Sequence, residues 1–239
     1  MKISLKVHRA ASRVHKWLAL IIGFQLLLWF ASGALMAWLP IGEVRGEHLV
    51  DRARAEPLTA ELARIDPAIL ARIAANGAEA ITLRRVDGRL VAEVGNGDTA
   101  RLFDLLSGQP VGPLDAAAAQ RIANAAWTER PPAIAGIRPV RARSTEYRAA
   151  LPAWRIGYAD AENTAVYVAA LTGRITAVRT GTWRLYDFFW GLHIMDWKDH
   201  EDFNTPWLFG FALGGLVIGL SGTLLLLARW PIRRRRAGV

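Results

Sequence analysis

All 21 acidic residues of this 239-residue chain lie between Glu43 and Asp202, and each flank outside that window joins a basic tag to an apolar run. The first run, residues 18–39, has one strongly polar side chain, Gln25; the second, residues 207–228, has no charge. Each holds 22 residues, and a helix of that length spans about 33 Å, enough for a hydrocarbon core of roughly 30 Å. The pattern predicts two transmembrane helices around a soluble middle.

Charge assigns the sides. Lys2, Lys6, Arg9, Arg13 and Lys16 precede the first run, and Arg229, Arg233, Arg234, Arg235 and Arg236 follow the second. These clusters account for the net charge of +9, since the middle is nearly balanced. They read as cytoplasmic anchors that touch anionic lipid, not as a nucleic-acid surface. Both termini are therefore expected in the cytoplasm and the loop between them in the periplasm, with a bacterial inner membrane as the site. The first run exceeds a signal-peptide core of about 7–15 residues and is bracketed by Trp17 and Trp38, so it reads as a retained anchor. The chain has no cysteine, which excludes disulfides, iron–sulfur clusters and thiol catalysis.

The expected organisation is a basic segment at 1–16, a first transmembrane helix at 17–39, a periplasmic domain at 40–181, an interfacial aromatic helix with an acidic loop at 182–205, a second transmembrane helix at 206–229 and a basic tail at 230–239. Residues 40–56 read as a stalk. The domain reads as two similar units, 57–113 and 114–181. Apolar residues at helical spacing predict a helix over 59–75, and Asp87-Gly88 predicts a hairpin between strands at 80–86 and 89–94, with a third strand at 99–105. Asp115 is a candidate N-cap for a helix over 116–127. Strands follow at 136–144, 153–159 and 165–170, with 174–178 as an extension. The phrases RLFDLLSG at 101–108 and VYVAALTG at 166–173 end both units alike. The fold class is α+β: two transmembrane helices flanking two helix-plus-antiparallel-sheet units.

Several short phrases resemble the PepSY-associated transmembrane family: His15-Lys16-Trp17-Leu18, then Gly23 and Ser32-Gly33; Leu192-His193; and Ser221-Gly222 before an apolar close. The resemblance implies that the two units are PepSY-like. It also implies an iron or siderophore reductase context, with b-type haem held by histidines and His15 and His193 as ligands. These two lie at opposite ends of the bilayer core, so one chain cannot clamp one haem between them; a dimer pairs each with its mate. Read from residue types alone, His15 is an interfacial polar residue and His193 an aromatic-belt residue.

Gly210, Gly214, Gly215 and Gly219 form small-xxx-small pairs, suited to packing within the chain, to a homodimer or to a partner membrane protein. Asp196, Asp199, His200 and Asp202 form an acidic loop that reads as solvated, with a hard-cation site as the alternative. No phosphate loop, nucleophile elbow or dinucleotide fingerprint is present, so no autonomous catalytic motif is found. Two functions follow: a haem-linked electron-transfer accessory in reductive iron or siderophore uptake, or a non-enzymatic PepSY module that inhibits a peptidase or assembles a membrane complex.

Overall fold

The computed structural model describes residues 5–54, 57–58, 63, 65–75, 78–96 and 99–229. The chain divides into two units, one built from Met1–Trp38 and Asp187–Val239 and the other from Leu39–Tyr186. The basic tag is not a separate surface helix. It continues directly into α1 (Leu5–Trp38), because no Gly or Pro interrupts residues 5–22. Within α1, Lys16–Trp38 is long and apolar enough to cross a membrane.

Residues expected as a stalk are folded instead. Pro40 precedes α2 (Ile41–Val44), Val44 and Val50 are buried, and Val50 forms a β-bridge with Trp127. The helix expected over 59–75 is α3 (Pro67–Ala74). Asp66 caps it by accepting from the Ala68 N–H at 2.8 Å, and Pro67 fits the first turn. Residues 59–62 and 64 of that expectation lie outside the described residues.

The first sheet orders β1 (Ala80–Val86), β2 (Arg89–Asn96), β3 (Thr99–Asp104) and β4 (Pro110–Val111), all antiparallel. Asp87 and Gly88 both take positive φ, 52° and 77°, as a two-residue hairpin turn requires. Then come α4 (Ala116–Ala125), capped by the Asp115 carboxylate on the Ala118 N–H at 2.8 Å, and a second antiparallel sheet, β5 (Ile134–Val140), β6 (Ala153–Tyr158), β7 (Ala165–Ala169) and β8 (Ile175–Arg179). Strand β5 starts earlier and stops sooner than expected.

Period-two alternation sorts the strands into faces. Leu90, Ala92 and Val94 of β2 pack with Ile73 and with Ile69 and Leu70 of α3. Val91 and Leu102 face the opposite way, toward Leu114 and Ile122 of α4. The same α4 sets Ala119 and Ala123 on Ile156, Val166, Val168 and Val178 of the second sheet. Helix α4 is thus shared by both sheets. Tyr147 and Tyr167 stack at 4.7 Å over the second sheet's other face.

The two strand–turn–Gly phrases are structurally equivalent. Gly108 (φ 72°) and Gly173 (φ 69°) both need the left-handed region, and a Cβ at either would crowd a helix: Ile69 and Arg72 of α3 at Gly108, Ile122 of α4 at Gly173. The sheets are joined by Glu93, nearly buried on β2. Its carboxylate accepts from Arg84 Nε at 2.6 Å and from Arg174 Nε at 2.7 Å, and Arg84 also donates to the Thr172 carbonyl. Burial pushes the Arg84 guanidinium below its ordinary value, and Glu93 opposes that shift.

The remaining helices are α5 (Gly181–Ile194) and α6 (Pro206–Arg229), which Pro206 opens as expected. Among the described residues of α6, Pro206–Leu220 is apolar. It packs on α1: a Cβ at Gly214 would meet Ile22 Cδ1 at 2.6 Å, and one at Gly215 would meet Leu26 at 3.3 Å. Gly210 and Gly219 face open space. Each small-xxx-small pair therefore has one member inside the chain's own packing, and the four make no single free stripe.

Glu93→Ala leaves the half-buried Arg84 without its counter-charge, so unfolding free energy in denaturant should fall by about 3 kcal/mol. A change within about 0.5 kcal/mol would show that the two sheets do not depend on this carboxylate.

Candidate functional site

One face of α1 carries Gln25, Trp29 and Ser32 at spacings of four and three residues. Gln25 and Ser32 are buried, at 8% and 2% exposure, although they lie in a stretch of membrane-spanning composition. The last turn of α5 meets this face. Helix α5 stops because Met195 takes φ 56°, leaving the His193 carbonyl without a helical partner. Trp29 Nε1 fills that role, donating to it at 2.8 Å. The His193 ring lies 6.5 Å from the Trp29 ring and in contact range of Gly33.

Ser32 sets the state of the imidazole. Its Oγ lies 2.8 Å from the Leu28 carbonyl, 3.1 Å from the Trp29 carbonyl and 2.9 Å from His193 Nδ1. A hydroxyl has one proton. The carbonyls can only accept, so where that proton goes to the helix, Ser32 accepts from Nδ1–H. In that arrangement a neutral ring carries its lone pair on Nε2, for which no partner exists among the described residues. A ring with Nδ1 tethered and Nε2 bare is the form that ligates a metal. Ser32 lies roughly 9 Å along the helix axis from Trp38, inside the apolar stretch.

His15 falls within α1, but its side chain lies outside the described residues. Seventeen residues separate it from Ser32, about 26 Å along a helix. His15 and His193 are therefore not brought together within the chain.

The acidic loop is not assembled as a cation cage. The Asp196 carboxylate accepts backbone N–H groups from Lys198, Asp199, Glu201 and Asp202 at 2.9–3.3 Å, which holds it well below the usual carboxylate range. Asp202 accepts from the Asn204 N–H at 2.7 Å. Among the described residues no three acidic or histidine side chains gather around a common point, so the Asp196, Asp199, His200 and Asp202 set does not converge. Wound about Asp196, the loop instead directs His200 (φ 57°) back onto α5. His200 Nδ1 lies 2.7 Å from Asp187 Oδ2, and its ring covers Gly191, where a Cβ would come within 2.5 Å of it. Trp190 Nε1 donates to the His200 carbonyl at 3.2 Å.

Sequence reasoning missed Ser32 and Asp187 as partners. Asp187 carries a local signal, since Asp187, Trp190 and Gly191 share one helical face and Asp187 is the only acid in 181–195. Ser32 carries none, standing 161 residues from His193.

An apolar helix with polar groups buried on one face, attached to an α+β domain, defines a membrane protein with a folded domain between its apolar segments. The model of the PepSY-associated TM region family matches residues 12–238, and the chain belongs to that family. No curated protein and no solved structure matches it.

Loop order should depend on pH through Asp196. Its carboxyl titrates lower when folded than when unfolded, so the order it supplies is complete above about pH 4 and is lost as pH falls through the folded value. NMR shifts of the Asp199, Glu201 and Asp202 amides should follow this transition, and Asp196→Asn should show the disordered values at neutral pH. Amide shifts unchanged in both experiments would remove Asp196 as the organiser of the loop.

Proposed function

We propose that this protein is an inner-membrane electron-transfer accessory in reductive uptake of iron or siderophores, with both termini cytoplasmic, two transmembrane helices, and residues 40–181 in the periplasm as two PepSY-like units. The observation that carries the reading is His193, whose Nδ1 lies 2.9 Å from Ser32 Oγ on the apolar helix and whose Nε2 has no partner among the described residues. A polar ring at that depth is costly unless it has a task or a partner.

The donor set fits haem b. His193 Nε2 would ligate the haem iron, and His193 of a second copy of the chain would supply a further ligand. His15 would serve a separate haem at the cytoplasmic side, again with its mate. When bound, haem supplies reversible one-electron iron chemistry. The residues present do the rest: Ser32 fixes the tautomer and aims the ring, Trp29 secures the backbone of the ligand, and Gln25 offers an amide on the same buried face. The acceptor implied by the family resemblance is a ferric complex on the periplasmic side.

A second reading is a non-enzymatic binding or regulatory module. It is favoured by the 39–186 unit, where Glu93 and Glu146 are engaged in structural ion pairs with Arg84 and Arg184.

Purified in mild detergent from haem-replete cells, the protein should show a visible band that sharpens on dithionite reduction. His193→Ala should abolish the spectrum of one haem. Ser32→Ala should keep the ligand but weaken haem affinity by about 10–100-fold. A colourless preparation from haem-replete cells would rule out electron transfer and leave the binding module.

A further inference from the structure

Strand β5 is an edge strand that breaks two habits of strands at one place. Gly136 stands opposite Gly157 of β6, and Arg138 stands opposite Arg155 in the next same-face pair. Glycine inside a strand weakens it and often marks the approach of a ligand. Like charges placed directly across a strand pair repel. A register shift between Ile134 and Gly136, a feature common beside binding sites, adjoins both. Together they line a trough of about 310 Å³ walled by Arg138 and Arg155.

Of the two guanidinium groups there, only Arg155 has a carboxylate beside it among the described residues. Arg155 extends over Gly157, placing Nη1 2.8 Å from where a Cβ would stand. Its Nε is buried without a hydrogen bond. The nearest carboxylate, Glu146, lies 3.8 Å from that Nε and is already committed: Oε1 accepts from Arg184 at 2.7 Å and Oε2 from the Tyr167 hydroxyl at 2.8 Å. Arg138 is exposed and has no partner among the described residues. A planar or tetrahedral oxyanion is the group that best matches guanidinium donors, and Arg138 and the Nη end of Arg155 both border the trough.

We propose that this trough is an anion-binding site for a small carboxylate- or phosphate-bearing ligand, held between Arg138 and Arg155 over the Gly136–Gly157 floor. Gly136 gives the ligand room beside the backbone, while the space over Gly157 is taken by Arg155. The arginines give two donors from adjacent strands, and Glu146 fixes the orientation of the inner one. The site lies wholly within the second sheet and needs no haem.

The test uses the full-length protein in detergent, titrated calorimetrically with citrate and, separately, with inorganic phosphate. Saturable binding of at least one is expected, and which one binds distinguishes a carboxylate from a phosphate ligand. Arg138→Gln should weaken it by about tenfold, the loss of one charge-assisted hydrogen bond. Gly136→Val is the sharper variant. Nothing stands within 4 Å of a Cβ there, so valine fits the strand, fills the trough and leaves every charge in place; it should abolish binding without lowering the melting temperature. Absence of binding by both anions, or binding that survives Arg138→Gln and Gly136→Val alike, overturns the proposal.

Discussion

A single carboxylate holds the two sheets in register with each other. Glu93 sits on the face of β2 that looks away from α3, where Val91 and Leu102 are packed, and a charge there would be intolerable unpaired. It is paired twice, once within its own sheet through Arg84 and once across to Arg174 beside the turn that precedes β8. Arg84 continues the link to the Thr172 carbonyl. Around this point the contacts become apolar and backbone-directed. Leu114 N–H donates to the Ala170 carbonyl, Trp154 Nε1 donates to the Leu114 carbonyl, and Gly173 presses on Val86 and Ile122. A side chain at Gly173 would separate what Glu93 draws together.

Glu146 does for the start of α5 what Glu93 does for the sheets. Arg184 reaches it from the helix, Arg179 donates to its backbone carbonyl and lies 3.9 Å over the Trp183 ring, and the Thr182 N–H is taken by Glu162. Burial works against the Glu146 charge, but the hydrogen bonds from Arg184 and Tyr167 outweigh it, and its carboxyl titrates below the ordinary range. The helix therefore begins among fixed charges. Arg155 is left in ion-pair range of the same carboxylate, but with no hydrogen bond at its Nε.

Local chemistry was readable in the sequence where a few adjacent residues dictate geometry. Asp87-Gly88 can only be a tight turn, Asp115 before an alanine run can only cap, and the paired Ser-Gly and Thr-Gly endings sit where glycine alone is tolerated. Length and apolarity likewise marked α1 and the start of α6. Tertiary partners were not readable. Leu49 and Val50 have no periodicity that announces a core, yet Val50 pairs with Trp127. Strand β5 ends at Val140, short of the expected Ser144; Pro139 cannot donate, and the chain turns away to bring Tyr147 over Tyr167. The acidic loop read as solvated, with a cation site as the alternative because composition counts carboxylates; geometry shows Asp196 facing backbone N–H groups.

Two histidines of the helical unit, His193 and His200, differ in what tethers them. His200 is held by a carboxylate, Asp187, in a loop rich in exposed charge. His193 is held by a hydroxyl that also lies within hydrogen-bond distance of the α1 backbone. A carboxylate in that position would bring a negative charge into an apolar slab, a cost of at least a few kcal/mol by insertion scales. Serine fixes the same tautomer with no net charge. A neutral partner at Nδ1 also leaves the basicity of Nε2 less enhanced than a carboxylate would.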